Sequence, residues 1–562
     1  MKRVDSSRAN GMNPQRRDWL TRRRIRYRLP APRHRAGRNL SHDEGHRRVA
    51  RSDGFMTGRL VRNTMASATA GLSVMFGGFL STVLVARMLG VEAAGIVAFA
   101  TWVVTVSIVV ADLGTPGTLS RYLPELLARG DQAQAAGVTR HLFRWPGLIA
   151  TLLLIGFVGY GTAIGVGSGA VESGSARIRT DVVFWILVGV ACVVQTAANY
   201  VNGYLRGAQG FARMARLALL SAVLQVVATA LGGWFFGANG ALAGAIAIGL
   251  LPSLLLPGIL SRRGTLSPEL RRRVDRFTFE TWLGYVGTAF AWSRMEIFFL
   301  ERSWGAESVA LFSVSLTLAN LATQGPLLLT GGLLPYLSEQ SGVNAGEKIR
   351  DAYAIGTRLI AFLVLPACFG AAAIAPVLVP AIYGNAFAGA VPTAVLLVAG
   401  AGFSAASSVG VTYLLAMERT RFVFLTGGIS AILVVVVGFT VVPAFGLLGA
   451  AVARVAIQIA VVIARVWYIH RSLKTPTPYA SLARILLAAS VCALAAWSCT
   501  RLIDGVAALA VAIPVGALAY GVAVRIFHAL PRSDYERLER AFGVLPSAIR
   551  IPAVTVLRLL CS

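Results

Sequence analysis

The chain has 562 residues, 56% of them hydrophobic and 14% charged, with a mean hydropathy of +0.67. Soluble domains carry roughly 25% charged residues, so a water-soluble globular fold is excluded. The net charge of +28 does not signify a nucleic-acid surface: residues 1–59 hold 17 Lys/Arg against 5 Asp/Glu, and most of the remainder sits in short loops between apolar runs, the pattern of membrane topology.

Residues 1–57 are arginine-rich and lack apolar periodicity, which predicts a disordered basic tail. His42-Asp43-Glu44-Gly45-His46 is only superficially a metal cluster, and no metal site is expected. No apolar core with a small-residue cleavage site appears, so no signal peptide is expected, and Met56 opens an alternative start. Apolar runs then follow near 60–86, 95–114, 145–166, 181–202, 214–235 and 239–260. After a basic linker come 282–300, 308–332, 358–382, 391–415, 422–443 and 446–469, and finally 482–500 and 505–527. About 20 apolar residues make about 30 Å of helix, enough to cross a bilayer, and only helices satisfy their own backbone there.

These runs predict an all-α polytopic membrane protein with fourteen transmembrane helices. With the N-terminus cytoplasmic, the inner loops carry 21 Lys/Arg and the outer loops 5, which puts both termini inside. The expected segments are a tail at 1–57, a first six-helix bundle at 58–261, a basic linker at 262–281, a second bundle at 282–470, helices 13 and 14 at 471–527, and an amphipathic tail at 528–562.

The two sets of six echo one another. Gly90 and Glu92 match Gly305 and Glu307 at a shift of 215; Tyr122, Leu123 and Glu125 match Tyr336, Leu337 and Glu339 at 214. Gly237-x-x-Gly240-Ala241 matches Gly446-x-x-Gly449-Ala450 at 209. Nearly constant offsets over such a length indicate a duplicated unit. An even number of helices per unit implies two pseudo-symmetric six-helix bundles about an axis along the membrane normal, with a cavity between them.

ARMLGVEAAG, ADLG and RYLPEL in the first half resemble the Wzx-type polysaccharide flippases of the multidrug/oligosaccharidyl-lipid/polysaccharide exporter superfamily. So do Tyr383-Gly-Asn-Ala-Phe-Ala-Gly-Ala-Val-Pro392, Leu414-Leu-Ala-Met-Glu-Arg419 and Gly446-Leu-Leu-Gly-Ala-Ala-Val-Ala453 in the second. The resemblance covers about 60–470. Where the family's first turn has a tyrosine, Ala94 stands here. The resemblance implies two bundles forming a V, a final helix pair, and transfer of an undecaprenyl-diphosphate-linked oligosaccharide from the inner to the outer leaflet of a bacterial inner membrane. Expected partners are that lipid-linked oligosaccharide, membrane lipids, a polysaccharide polymerase and a chain-length regulator, without nucleic acid.

Ionisable residues inside spans are costly and mark function or pairing. Arg294 and Glu296 fall in span 7, about 200° apart if that span is one regular helix. Arg454 sits about eight residues into span 12. Either these charges pair to hold the bundle, or Arg294 and Arg454 line the cavity and hold an anionic head group. Glu296 and Asp112 are candidates for proton or sodium coupling; Asp112 also suits a capping role. Asn199, on a stripe with Gln195 and Asn202, and Asn320 with Gln324 are candidates for binding sugar hydroxyls, or for helix–helix contacts of about 0.6 kcal/mol each.

The five cysteines form no framework. No G-x-x-x-x-G-K-[ST], HExxH or G-x-S-x-G motif occurs, so no cofactor and no enzyme activity is expected. A lipid-linked sugar polymerase or ligase remains the enzyme-class alternative, though neither the outer loop near 167–180 nor the inner loop 261–281 suits a catalytic domain. Among transporters, a lipid II-type flippase and a drug/cation antiporter of the same superfamily stay open.

Overall fold

The computed structural model describes residues 42–167, 182–292, 294–327, 346–417 and 419–529. Two compact units divide the chain, Met1–Leu60 and Val61–Ser562. Within the first, the residues from His42 onward are helical. Asp43 with Arg47 and Glu44 with Arg48 have the sequence spacing that favours helix. The tail expected at 528–562 lies outside the described residues beyond residue 529.

The described residues form helices and connecting turns. They are α1 (His42–Asp112), α2 (Thr115–Ala128), α3 (Gln132–Gly167), α4 (Val182–Gly207), α5 (Phe211–Ala241), α6 (Ala243–Ser253) and α7 (Leu256–Leu260). There follow α8 (Pro268–Trp292), α9 (Glu296–Leu327), α10 (Gly346–Tyr383), α11 (Val391–Ala406), α12 (Ser408–Ala416), α13 (Thr420–Leu473), α14 (Tyr479–Leu502) and α15 (Ala507–Ile526). A short 3₁₀ turn, Asn385–Ala390, joins α10 to α11.

The repeated glycines are the hinges of this architecture. Gly90 (φ 82°, ψ −173°) and Gly305 (φ 79°, ψ −175°) kink α1 and α9 with almost the same torsions. Gly237 (φ 61°, ψ −142°) and Gly446 (φ 57°, ψ −137°) kink α5 and α13, again as a pair. These are conformations that side chains other than glycine's rarely adopt. The duplication read from the offsets of 215 and 209 is therefore a duplication of backbone geometry.

Eleven helices among the described residues, not fourteen, are long and apolar enough to cross a membrane. The difference of three has physical causes. Ala66–Asp112 (47 residues) and Thr420–Leu473 (54 residues) are each one helix interrupted only by a glycine kink, where two runs were expected. The seventh run, 282–300, is not one helix: α8 ends at Trp292, Arg294 takes a left-handed φ of 60°, and α9 begins at Glu296. The linker expected at 262–281 is itself helical from Pro268. Exposed aromatics cluster beside the second pair of kinks, Trp234, Phe235 and Phe236 before Gly237 and Phe439 and Phe445 before Gly446, as amphipathic rings do at membrane–water interfaces.

α8 docks on the first half. Thr278 Oγ1 lies 3.0 Å from Thr118 Oγ1, and the Trp282 indole N–H donates to the Val109 carbonyl at 3.3 Å. The two halves also meet at the kinks of α1 and α9. The Arg87 guanidinium donates to the carbonyls of Ala381 and Ile382 at the end of α10. Phe79 packs edge-on against Tyr383. A Cβ added at Gly95 would overlap the backbone carbonyl of Ala306.

That close approach makes a test of how the halves separate. Gly95→Val overpacks a contact of the kind that costs about 1–3 kcal/mol, a shift of about 5- to 150-fold between paired and parted halves. Cysteines placed at residues 87 and 382 should crosslink readily in otherwise unchanged protein and slowly beside Gly95→Val. Equal crosslinking rates would show that this contact does not set the spacing.

Candidate substrate cavity

Between the halves lies a cavity of about 490 Å³. α1 contributes Ser81, Thr82, Thr101, Trp102 and Thr105, α4 Gln195, α5 Gln225 and Thr229, and α6 Ala245. From the second half come Ile297, Ser313 and Thr317 of α9, and Arg294 from the break that precedes it. The break matters because it frees Arg294 from the helical register of either neighbour.

The wall is hydroxyl- and amide-rich, and Arg294 is its one charged residue among the described residues. Thr82, Thr101, Thr105 and Thr317 each donate to the carbonyl four residues earlier in their own helix, which leaves oxygen lone pairs to accept a ligand's hydroxyl protons. Gln195 donates to the Ala245 carbonyl at 2.6 Å. Ser81 Oγ, Gln225 Oε1 and Ser313 Oγ are buried without a partner among the described residues. Buried polar groups are ordinarily satisfied, so three orphans around one cavity point to a polar occupant. Among the described residues no carboxylate lines this wall, and it therefore suits an anionic, hydroxyl-bearing molecule better than a cation.

Arg454 is placed elsewhere. Its Nη1 donates to both carboxylate oxygens of Glu296 at 2.8 and 3.0 Å, and the two side chains are only 11% and 6% exposed. They line a separate small pocket with Ser430, Val434, Ile457, Gln458 and Val461. Arg294 and Arg454 thus line different pockets, although Arg294 lies within electrostatic reach of both Arg454 and Glu296. A regular helix through both Arg294 and Glu296 is also not what forms, because the break at 294–295 takes them off a common helix. Glu296, in the first turn of α9, sits where the helix dipole favours a carboxylate.

Asn199 and Asp112 are brought together: the Asn199 amide donates to Asp112 Oδ2, while Asp112 Oδ1 is buried and unpartnered among the described residues. Asn199 is accordingly not among the cavity-lining side chains. Asn320 and Gln324 are exposed on α9 and do not line the cavity either. The sequence reading overlooked most of the wall. A signal was present, since Thr101/Thr105, Gln225/Thr229 and Ser313/Thr317 are polar pairs at the four-residue helical spacing within apolar runs.

A family model described as polysaccharide biosynthesis protein matches residues 60–341, half of the chain. The chain belongs to that family. No curated protein sequence matches this polysaccharide biosynthesis family member. Its fold is similar to an inward-facing multidrug resistance MATE family transporter of the MOP superfamily, with a TM-score of 0.59 and 16% identity over 73% of this chain and 98% of that one. It is equally similar to lipid II flippase MurJ in an inward closed conformation, with a TM-score of 0.59 and 15% identity over 83% of this chain and 99% of that one. An outward-facing MATE transporter matches with a TM-score of 0.51 and 16% identity over 74% and 95%. Family, fold and apolar helices make the chain a multi-pass membrane protein of the polysaccharide biosynthesis family, with the fold seen in MATE transporters and MurJ.

Proposed function

We propose that this protein moves undecaprenyl-diphosphate-linked oligosaccharide units from the inner to the outer leaflet of a bacterial inner membrane by alternating access. The observation that carries the reading is the cavity between the halves, with Arg294 for a diphosphate, a wall bearing hydroxyls and amides for sugar and, among the described residues, no carboxylate for a cationic drug. A guanidinium gives paired donors to phosphate oxygens. Each repeated kink is read as a turn at the membrane surface and the broken seventh run as one crossing. On that reading the chain crosses fourteen times with both termini cytoplasmic, and reporter fusions at residues 172 and 345 should read outside and inside. A fusion at 345 reading outside would overturn the topology.

Asp112, held by Asn199, is the ion-coupling candidate that remains, because Glu296 is engaged by Arg454. A polymerase and a chain-length regulator are the partners this role implies. The cargo is tested in proteoliposomes with a fluorescent undecaprenyl-diphosphate oligosaccharide and, in parallel, with lipid II. Translocation of the oligosaccharide lipid supports the reading; translocation of lipid II alone replaces it with a lipid II-type flippase. If a proton or sodium gradient drives transport, Asp112→Asn should remove that dependence, and an undiminished response to the gradient would exclude Asp112 from coupling.

A further inference from the structure

A second cavity, of about 200 Å³, lies within the second half, walled by α10, α11–α12, the late part of α13 and the start of α14. Its lining is largely apolar, with Leu365, Phe403, Val462, Leu482 and Leu486 among the contributors, and Arg465 is its one charged residue among the described residues. Arg465 Nη1 donates to Ser407, to Oγ at 2.8 Å and to the carbonyl at 3.1 Å. Among the described residues no partner is recorded for its Nη2 or Nε. Beside it stand the hydroxyls of Tyr353 and Thr477, 3.4 Å apart. The cavity is at the end of the bundle where α13 finishes with His470 and Arg471 and where Lys474 and Arg484 follow.

We propose that this cavity is a binding site for one anionic phospholipid of the inner leaflet, with its phosphate on Arg465 and an acyl chain against Phe403, Leu482 and Leu486. Three observations converge on that occupant. The lining joins one arginine and a few hydroxyl side chains to a largely apolar wall, which matches an amphiphile with an anionic head better than a sugar. The neighbouring loop is basic, and basic segments at a bilayer surface attract anionic lipids. The wall from α14 belongs to the helix pair outside the repeat. At the shift of 209 the residue matching Arg465 is Leu256, so the duplicated unit supplies this site only once. The extra helix pair thereby acquires a task, closing a lipid site on the flank of the second half. The proposal stands independently of the cargo assigned to the central cavity.

The test is native mass spectrometry of the delipidated full-length protein titrated with phosphatidylglycerol, phosphatidylcholine or undecaprenyl phosphate. The unchanged protein should hold one phosphatidylglycerol about fivefold more tightly than phosphatidylcholine, because the choline cation offsets the charge of a phosphate that both lipids carry. Arg465→Met should erase that preference. Leu486→Trp, which keeps the arginine and fills the apolar end, should weaken both phospholipids. Equal binding of the two phospholipids by the unchanged protein, or a preference that survives Arg465→Met, overturns the proposal. It is likewise overturned if Arg465→Met weakens undecaprenyl phosphate and leaves phosphatidylglycerol unaffected, because the cavity would then belong to the polyprenyl cargo.

Discussion

Replacing Arg294 by alanine should reduce export of the lipid-linked sugar by about 10- to 150-fold, because a hydrogen bond to a charged group contributes about 1.5–3 kcal/mol and each 1.4 kcal/mol is tenfold. Arg294 lines the central cavity and is its one charge among the described residues. The left-handed φ of 60° at this position is sterically about as unfavourable for alanine as for arginine, so the substitution removes the guanidinium without adding strain to the break. Arg294→Lys should retain part of the activity, since an ammonium supplies charge but not the planar fork. Export at the unchanged level in Arg294→Ala, with normal amounts in the membrane, would remove the cation from the mechanism.

The charge in the cavity comes from one half only, and the sequence offsets show why. At 215 the position matching Arg294 is Phe79, and at 209 the position matching Arg454 is Ala245. Ala245 does line the central cavity, so its repeat mate would face the same space if the halves were chemically alike. Arg454 is drawn aside by Glu296. The duplicated fold thus builds the chamber from both halves, and Arg294, which has no charged counterpart in the first half, makes it electrostatically lopsided.

How much of this was legible before the structure depends on which physical signal each feature leaves. The kinks left one, because a positive φ combined with ψ of −137° to −175° demands glycine and glycines recur at fixed offsets. Buried charges left one too: Arg294, Glu296 and Arg454 stand out because a charge at mid-membrane needs a partner or water. Which partner each would find was hidden by the break at 294–295, where no glycine or proline marks the end of α8. The stripe of Asn320 and Gln324 lies off the cavity wall, which was hidden for a different reason. In a membrane helix neither face is wet by default, so polarity alone does not say whether a side chain meets the cavity or the exterior. Asp112 and Asn199 were assigned separate roles, although they are hydrogen-bonded to each other. Contacts across 87 residues of chain leave no local pattern.

The ion pair itself gives the sharpest division between holding the bundle and handling the cargo. Glu296→Gln leaves the Arg454 guanidinium buried without a carboxylate, and Arg454→Met strands Glu296 in the same way. Breaking one side of a buried pair costs about 3–5 kcal/mol, whereas exchanging both sides for apolar groups of similar volume is often neutral. Each single substitution should therefore lower the thermal midpoint of the purified protein and its level in the membrane. The double variant Glu296→Leu with Arg454→Met should recover most of both, with a large favourable coupling in the double-mutant cycle. Because Arg294 remains on the wall of the central cavity in that double variant, export should recover together with stability. Recovery of folding without recovery of export would mean that Arg454 or Glu296 meets the cargo or a coupling ion at some stage of the cycle, and the assignment of the pair as a tie between α9 and α13 would fall.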